Sequence, residues 1–136
     1  MDNKYRIILD EVLDEIESAL HDKKGIESHQ RRLAFSISLG ASTLTELYLH
    51  EKGVLKSGSK INHQWFNKNL KNIKEIISNH IICPVERIES FDSLLEIVQK
   101  IEQKRNDVIY GKSVSEDVLN NLISLFFELK KEIKND

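Results

Sequence analysis

The sequence contains very few residues of the kinds that cross-link or interrupt a chain. It has one cysteine, one proline and five glycines among 136 residues. The single cysteine, Cys83, excludes an intrachain disulfide and favours a reducing compartment. Because proline and glycine are scarce, the sequence argues against a fold with many tight turns and favours a few long helices.

Long apolar runs and a strong charge of one sign are also missing. No segment approaches the roughly 18 apolar residues of a membrane-spanning helix. The N-terminus has no basic segment followed by a long apolar run, which is the pattern of a signal peptide. We therefore expect a cytoplasmic protein without a membrane partner. The net charge of −2 gives no global basic field for nucleic acid, although the 20 lysines and arginines leave room for a local basic patch.

Apolar residues instead recur at three- and four-residue intervals, a spacing that predicts amphipathic helices. The predicted helices cover about residues 3–22, 27–51, 63–82 and 90–110, with a fifth from residue 113 to about 133. No stretch alternates with period two for long enough to predict a strand. We therefore expect an all-α fold, a single domain spanning residues 1–136, built as an up-and-down bundle of four to five helices.

Local signals predict how some of these helices pack and end. Ser90 is a candidate N-cap for the fourth helix, and Gly111 is its predicted end. Ser113 and Glu116 have the spacing of a capping box for the fifth helix. The middle of the second helix is rich in small residues, which would let another helix approach closely; these are Ser36, Ser38, Gly40, Ala41, Ser42 and Thr43.

Most candidate sites have a simpler structural explanation. The segment from Gly53 to Lys60 has glycines like a phosphate-binding loop, but Ser59 stands where that loop needs lysine, and no strand precedes it. A flexible polar loop is the better interpretation. The five histidines lack the short spacing of metal ligands, so we expect neither a metal nor a cofactor. His63 is the exception to watch, because it begins a predicted helix after a polar loop, where it could face a groove.

The stretch from Lys104 to Gly111 places polar residues where an apolar stripe is still running. Counting in one-turn steps along the fourth helix puts Arg105 on or beside that stripe. An arginine there must snorkel, pair with a carboxylate, or line a cleft or an interface. Asn106 and Asp107 prefer caps and turns, and Tyr110 adds an aromatic ring and a hydroxyl. The residue types in this stretch are compatible with an ordinary helix end and with a binding site.

The residues of this stretch, KRNDVIYG, resemble the signature region of HEPN domains (higher eukaryotes and prokaryotes nucleotide-binding). These are small all-α domains in which long antiparallel helices form a bundle. The family motif is an arginine, usually followed by a polar residue such as asparagine, then three to five residues and a histidine. Arg105 and Asn106 match this motif, and Tyr110 stands at the position of the histidine. The order of the predicted helices is similar over most of the chain.

The resemblance implies both an activity and partners. HEPN domains with the complete motif are often metal-independent ribonucleases, frequently toxins, and they dimerise so that two motifs face one cleft. Arginine holds the scissile phosphate there, and histidine moves the proton of a ribose 2′-hydroxyl. The resemblance therefore implies a homodimer, RNA or a nucleotide as ligand, and a minimal nucleotidyltransferase as the candidate partner in a toxin–antitoxin pair.

Three hypotheses follow. The leading one is a binding module with weak or no catalysis, because tyrosine is a poor general base at neutral pH. Its candidate ligand-binding residues are Arg105, Asn106, Asp107 and His63. The second is a ribonuclease toxin, whose candidate catalytic residues are Arg105 with Tyr110, or Arg105 with His63 brought in from elsewhere. The third is a helical interaction or scaffold protein without a ligand, in which Arg105 only pairs with a carboxylate.

Overall fold

The computed structural model describes residues 3–134 and shows an all-α bundle, which confirms the predicted fold class. Its α-helices are α1 (Asn3–His21), α2 (Gln30–Glu51), α3 (Leu70–Ser78), α4 (Phe91–Tyr110) and α5 (Glu116–Lys134). Short 3-10 helices occupy Ile26–His29, His63–Asn67 and Val85–Arg87. Within the described residues there is no β-strand, and only an isolated antiparallel bridge joins Leu55 to Ile81.

The central element of the bundle is α2, which packs against α1, α4 and α5. Every residue of α2 from 40 to 49 is buried, so the helix is surrounded on all sides there. Gly40 shows why small residues are needed on it. A Cβ atom at Gly40 would lie 2.6 Å from Cε1 of Phe126 on α5 and 3.1 Å from Cγ1 of Val12 on α1. The prediction that small residues allow close helix approach is confirmed at this position.

The predicted third helix is wrong in its extent. The chain forms a 3-10 helix from His63 to Asn67, passes through an extended Lys68, and begins α3 only at Leu70. The side chain of Asn69 accepts a hydrogen bond from the backbone N–H of Asn72 and so caps the new helix. The predicted helix over residues 63–82 is therefore two separate pieces, and α3 ends at Ser78.

The predicted start of α4 is confirmed in its position but not in its side-chain cap, and the predicted start of α5 is wrong. Ser90 does precede α4, but its backbone is left-handed, with φ of 58°, and its side chain makes no capping hydrogen bond. In α5 the first turn is closed by the carbonyl of Ser115, which accepts from the N–H groups of Val118 and Leu119. The start of α5 is thus Ser115 and Glu116, two residues later than the predicted cap at Ser113. Gly111 directly follows α4, as predicted.

The buried side chain of Gln30 fixes the end of α4 against the start of α2. Its Nε2 donates to the carbonyl of Val108 at 2.9 Å, and its Oε1 accepts from the N–H of Val114 at 3.1 Å. The C-terminal part of α4, which carries Arg105, is therefore anchored to the central helix. None of the helices within residues 3–134 combines the length and the apolarity that crossing a membrane requires.

Candidate functional site

A buried carboxylate on α4 lies at the centre of the site. Glu102 is only 2% exposed. Its Oε2 accepts a hydrogen bond from Oγ of Ser38 on α2 at 2.8 Å, and its Oε1 accepts one from Nδ1 of His63 at 2.7 Å. A buried carboxylate without partners is costly, and these two bonds satisfy it. Glu102 thereby joins α4 to α2 and to the 3-10 helix that begins at His63.

Arg105 lies one turn further along α4 and is held on several sides. Its Nε is 3.9 Å from Oε1 of Glu102, and its Nη1 donates to Oδ1 of Asn106 at 3.0 Å. The guanidinium carbon is 5.2 Å from the centre of the Phe35 ring on α2, a cation–π distance. The Arg105 side chain is 11% exposed. It therefore lies beside the apolar stripe, as its position in the sequence predicts, and its orientation is fixed before any ligand binds.

Asn106 connects the same region to the 3-10 helix. Its Nδ2 donates to Oδ1 of Asn67 at 2.6 Å. Asn67 lies about one turn after His63 on the 3-10 helix, and Asn106 lies about one turn after Glu102 on α4. Two hydrogen bonds therefore join these helices about one turn apart, one from His63 to Glu102 and one from Asn106 to Asn67. We call Ser38, His63, Asn67, Glu102, Arg105 and Asn106 the Glu102 cluster.

His63 is the titratable side chain of the Glu102 cluster that reaches solvent, with 35% of its side chain exposed. Because Nδ1 donates to Glu102, the lone pair of the neutral ring is on Nε2. A carboxylate that orients an imidazole in this way is the arrangement used for proton transfer in many enzymes. The cluster therefore offers a cationic anchor in Arg105 and a proton acceptor in His63.

The other two predicted site residues lie elsewhere on α4. At 100° per residue, Tyr110 is turned about 140° from Arg105 around the helix, and Asp107 about 200°. Tyr110 is 79% exposed, and Asp107 is exposed as well. The structure thus brings Arg105, Asn106 and His63 together and leaves Tyr110 and Asp107 outside the Glu102 cluster.

Three members of the Glu102 cluster, Ser38, Asn67 and Glu102, were not predicted as site residues from the sequence. Glu102 could have been found, because it lies three residues before Arg105 on the same helix, a spacing at which side chains meet. Ser38 and Asn67 gave no such signal. Ser38 bonds to a residue 64 positions away and Asn67 to one 39 positions away, so only the packed structure shows these contacts.

No group of three or more histidine, cysteine, aspartate or glutamate side chains in the described part of the chain could hold a metal ion. The Glu102 cluster contributes one imidazole and one carboxylate, and these bond to each other. The chemistry that the cluster offers with its own groups is hydrogen bonding to an anion and transfer of a proton.

Comparison of the chain with protein-family models, with curated proteins and with solved structures gives no significant match. The similarity to HEPN domains therefore stays a prediction. It depends on Arg105, Asn106 and the residues that follow them in the sequence.

Proposed function

We propose that this protein is an HEPN-like helical module that binds RNA or a nucleotide, with Arg105 as the residue that holds a phosphate. The observation that carries the proposal is the state of Arg105 in the Glu102 cluster. A guanidinium has five N–H donors, and among the described residues Arg105 uses a single one in a hydrogen bond, to Asn106. The remaining donors suit the bidentate contacts that arginine makes with phosphate oxygens.

The surroundings of Arg105 support an anionic ligand more than a purely structural ion pair. Glu102 already accepts hydrogen bonds from Ser38 and His63, so it does not need Arg105 to satisfy it. The distance of 3.9 Å from Nε to Oε1 is beyond hydrogen-bond range. Glu102 therefore positions Arg105 and offsets part of its charge, while the N–H groups stay available. In a scaffold protein we would expect a direct, hydrogen-bonded Arg105–carboxylate pair.

We include a homodimer and a nucleotidyltransferase partner in the same proposal. Phe35 is half exposed beside Arg105 and is the candidate apolar contact for a second copy of the chain. Two copies meeting there would place both Arg105 side chains along one cleft, as the HEPN resemblance implies. The nucleotidyltransferase partner of a toxin–antitoxin pair is supported by that resemblance alone.

The test is the affinity for a fluorescently labelled single-stranded RNA of mixed sequence, measured by anisotropy at several salt concentrations. We expect Arg105→Ala to weaken binding by about tenfold or more and to reduce the slope of log K against log salt by about 0.7, the value for one phosphate contact on a single strand. Arg87→Ala, on an exposed arginine of the 85–87 turn, is the matched control. Unchanged affinity in a folded Arg105→Ala protein would refute the proposal and leave the scaffold hypothesis.

A second candidate function, ribonuclease activity, is favoured by one observation, the hydrogen bond of 2.7 Å from His63 to the buried Glu102. His63 Nε2 would take the proton of a ribose 2′-hydroxyl, and the 2′-oxygen would attack the adjacent phosphorus. The bond from phosphorus to the 5′-oxygen would break, and that oxygen would take a proton from water. The products are a 2′,3′-cyclic phosphate and a 5′-hydroxyl. Arg105 would offset the negative charge that develops on the phosphoryl oxygens.

Cleavage of the same RNA separates the two candidates. If the protein is a ribonuclease, we expect His63→Gln to lower the cleavage rate by about 100-fold or more while RNA affinity changes little. Tyr110→Phe, which lies outside the Glu102 cluster, should cleave like the unaltered protein. An RNA with 2′-deoxy substitutions should bind and stay intact. If the unaltered protein cleaves no RNA and its expression does not slow host growth, the ribonuclease hypothesis is wrong. The hypothesis of a binding module without catalysis is then kept.

A further inference from the structure

A groove lies beside the Glu102 cluster. It is a depression of about 510 Å³ that has His63 as part of its wall. Leu39 and Ser42 of α2 form one side, and the chain from Lys60 to Trp65 forms the other. Leu39 is apolar yet 47% exposed. The groove therefore offers an exposed apolar side chain among polar ones, directly next to the proposed phosphate site.

The groove continues away from the Glu102 cluster. A second depression of about 210 Å³ shares Leu39, Ser42, Lys60 and Ile61 with the first and extends to Lys4 at the start of α1. We call the two together the α2 trough. Because it has His63 at one end and Lys4 at the other, the trough leads from the Glu102 cluster along α2.

Lys60 lines both depressions and adds a positive charge to the trough. The carboxylate of Glu46 lines the second depression, where it pairs with Lys4 at 3.8 Å and accepts a hydrogen bond from the N–H of Ile61. Lys60 is exposed, and among residues 3–134 no carboxylate forms an ion pair with it. Lys60 precedes His63 by three residues, so their Cα atoms are at most about 11 Å apart. His63 and Arg105 both contact the carboxylate of Glu102. The first depression thus has one cation in its wall, Lys60, and a second cation outside it, Arg105, which shares the Glu102 carboxylate with His63.

We propose that the α2 trough binds one nucleoside of a single-stranded RNA, whose two flanking phosphates contact Arg105 and Lys60. This inference rests on the proposed function of Arg105. The apolar side chain of Leu39 and the exposed part of the Trp65 indole suit apolar contact with a base, since single-stranded RNA is held mainly by stacking and apolar contacts. One face of that indole already stacks on the ring of His80, with 4.7 Å between the ring centres. The amides of Asn62 and Gln64 line the same depression and suit hydrogen bonding to the edge of a base. A groove with apolar and amide side chains, with Lys60 in its wall and Arg105 nearby, complements a nucleoside between two phosphates.

The experiment compares a nucleoside 5′-monophosphate with the matching 3′,5′-bisphosphate by isothermal titration calorimetry. We expect the bisphosphate to bind about tenfold more tightly, because its second phosphate adds a charge-assisted hydrogen bond to Lys60. Lys60→Ala should abolish this advantage. Lys56→Ala, on an exposed lysine outside the trough, should retain it. An abasic analogue with both phosphates should bind about tenfold more weakly than the complete bisphosphate.

Several results would overturn the inference. If Lys60→Ala keeps the bisphosphate advantage, or the abasic analogue binds equally well, the nucleoside is not in the trough. If Arg105→Ala still weakens RNA binding in that case, only this inference fails and the proposed function stands. If Arg105→Ala has no effect on RNA, both fail. A Leu39→Ala protein that changes its sedimentation but not its nucleotide affinity would show that a second copy covers the trough. Circular dichroism checks that each variant is folded.

Discussion

Gly40 is a residue at which α1, α2 and α5 come close together, and its missing side chain is part of the packing. The ring of Phe126, which faces it, is fully buried. Interiors are packed densely enough that one added methyl group is felt. The position of Gly40 in the middle of a helix, normally unfavourable, is explained by this close approach.

We expect Gly40→Ala to destabilise the protein by about 1–2 kcal/mol. The added Cβ would overpack the junction at a cost of about 1–3 kcal/mol, and the gain in helix propensity of up to about 1 kcal/mol offsets only part of it. Urea denaturation measures the free energy of unfolding. Ser36→Ala, a partly exposed position on the same helix, is the control and should be neutral or slightly stabilising. A Gly40→Ala protein as stable as that control would contradict the packing argument.

His29 is a second residue whose environment makes a measurable prediction. Its Nδ1 and Nε2 donate to Glu15 and Asp22, each at 2.8 Å, so both ring nitrogens carry protons. The hydrogen bonds to Glu15 and then Asp22 raise the pKa of His29 above its ordinary value of 6.5. The backbone N–H of Lys24, followed by His29, lowers the pKa of Asp22 below its ordinary 3.8.

The signs of these shifts fix the pH at which His29 stabilises the fold. Since the pKa of His29 is raised by folding, its contribution is complete below pH 6.5 and is lost as the pH rises through the folded-state pKa. The contribution of Asp22 is present above pH 3.8 and is lost as the pH falls. We therefore expect His29→Gln to lose more thermal stability at about pH 5.5 than at about pH 9. An equal loss at both values would show that the protonated ring is not what stabilises the connection.

At the scale of whole elements, the sequence predicted structure that depends on neighbouring residues, such as the extent of a helix. It did not predict contacts between residues that are far apart in the sequence. The long apolar stripes of α1, α2 and α4 predicted the ends of those helices to within a few residues. The third helix failed because its apolar period continued through Lys68 and Asn69, where the backbone becomes extended and a new cap begins. In the site, the helical period predicted that Arg105 lies beside the apolar stripe. The position of His63 after a polar loop marked it as a candidate site residue. The spacing of three residues could also have linked Glu102 to Arg105, but the bond from His63 to Glu102 depends on the packing of the 63–67 helix against α4.

The anchoring of α4 to α2 by Gln30 predicts a local effect. Gln30→Ala would leave the buried carbonyl of Val108 and the partly buried N–H of Val114 without their side-chain partner, at a cost of about 1–3 kcal/mol. We expect faster hydrogen exchange at Val114 and in the last turn of α4. Gln99→Ala removes a single exposed bond to the carbonyl of Lys68 and should change little. Equal exchange rates in the two variants would argue against an anchoring role for Gln30.

At the scale of the whole molecule, the question is whether two copies associate. The proposed dimer contact is Phe35, which is 50% exposed beside Arg105. Phe127 on α5 is 44% exposed and serves as the matched control. We expect Phe35→Lys to convert a dimer into a monomer in sedimentation-velocity experiments, because a lysine buried there would lie beside the like charge of Arg105 and oppose association. Phe127→Lys should stay dimeric. A monomer in the unaltered protein would refute the dimer without affecting Arg105 as a phosphate ligand.

The position of Glu102 between three elements also determines when the site forms. Its partners Ser38 and His63 are 64 and 39 residues away along the chain. Contacts of that separation form only after the entropy of closing the intervening loops has been overcome. A partly unfolded chain in which α4 is helical but not packed on α2 would carry Arg105 and Asn106 without the carboxylate network that orients them. We therefore expect the Glu102 cluster to form only when α4 packs against α2 and the 63–67 helix.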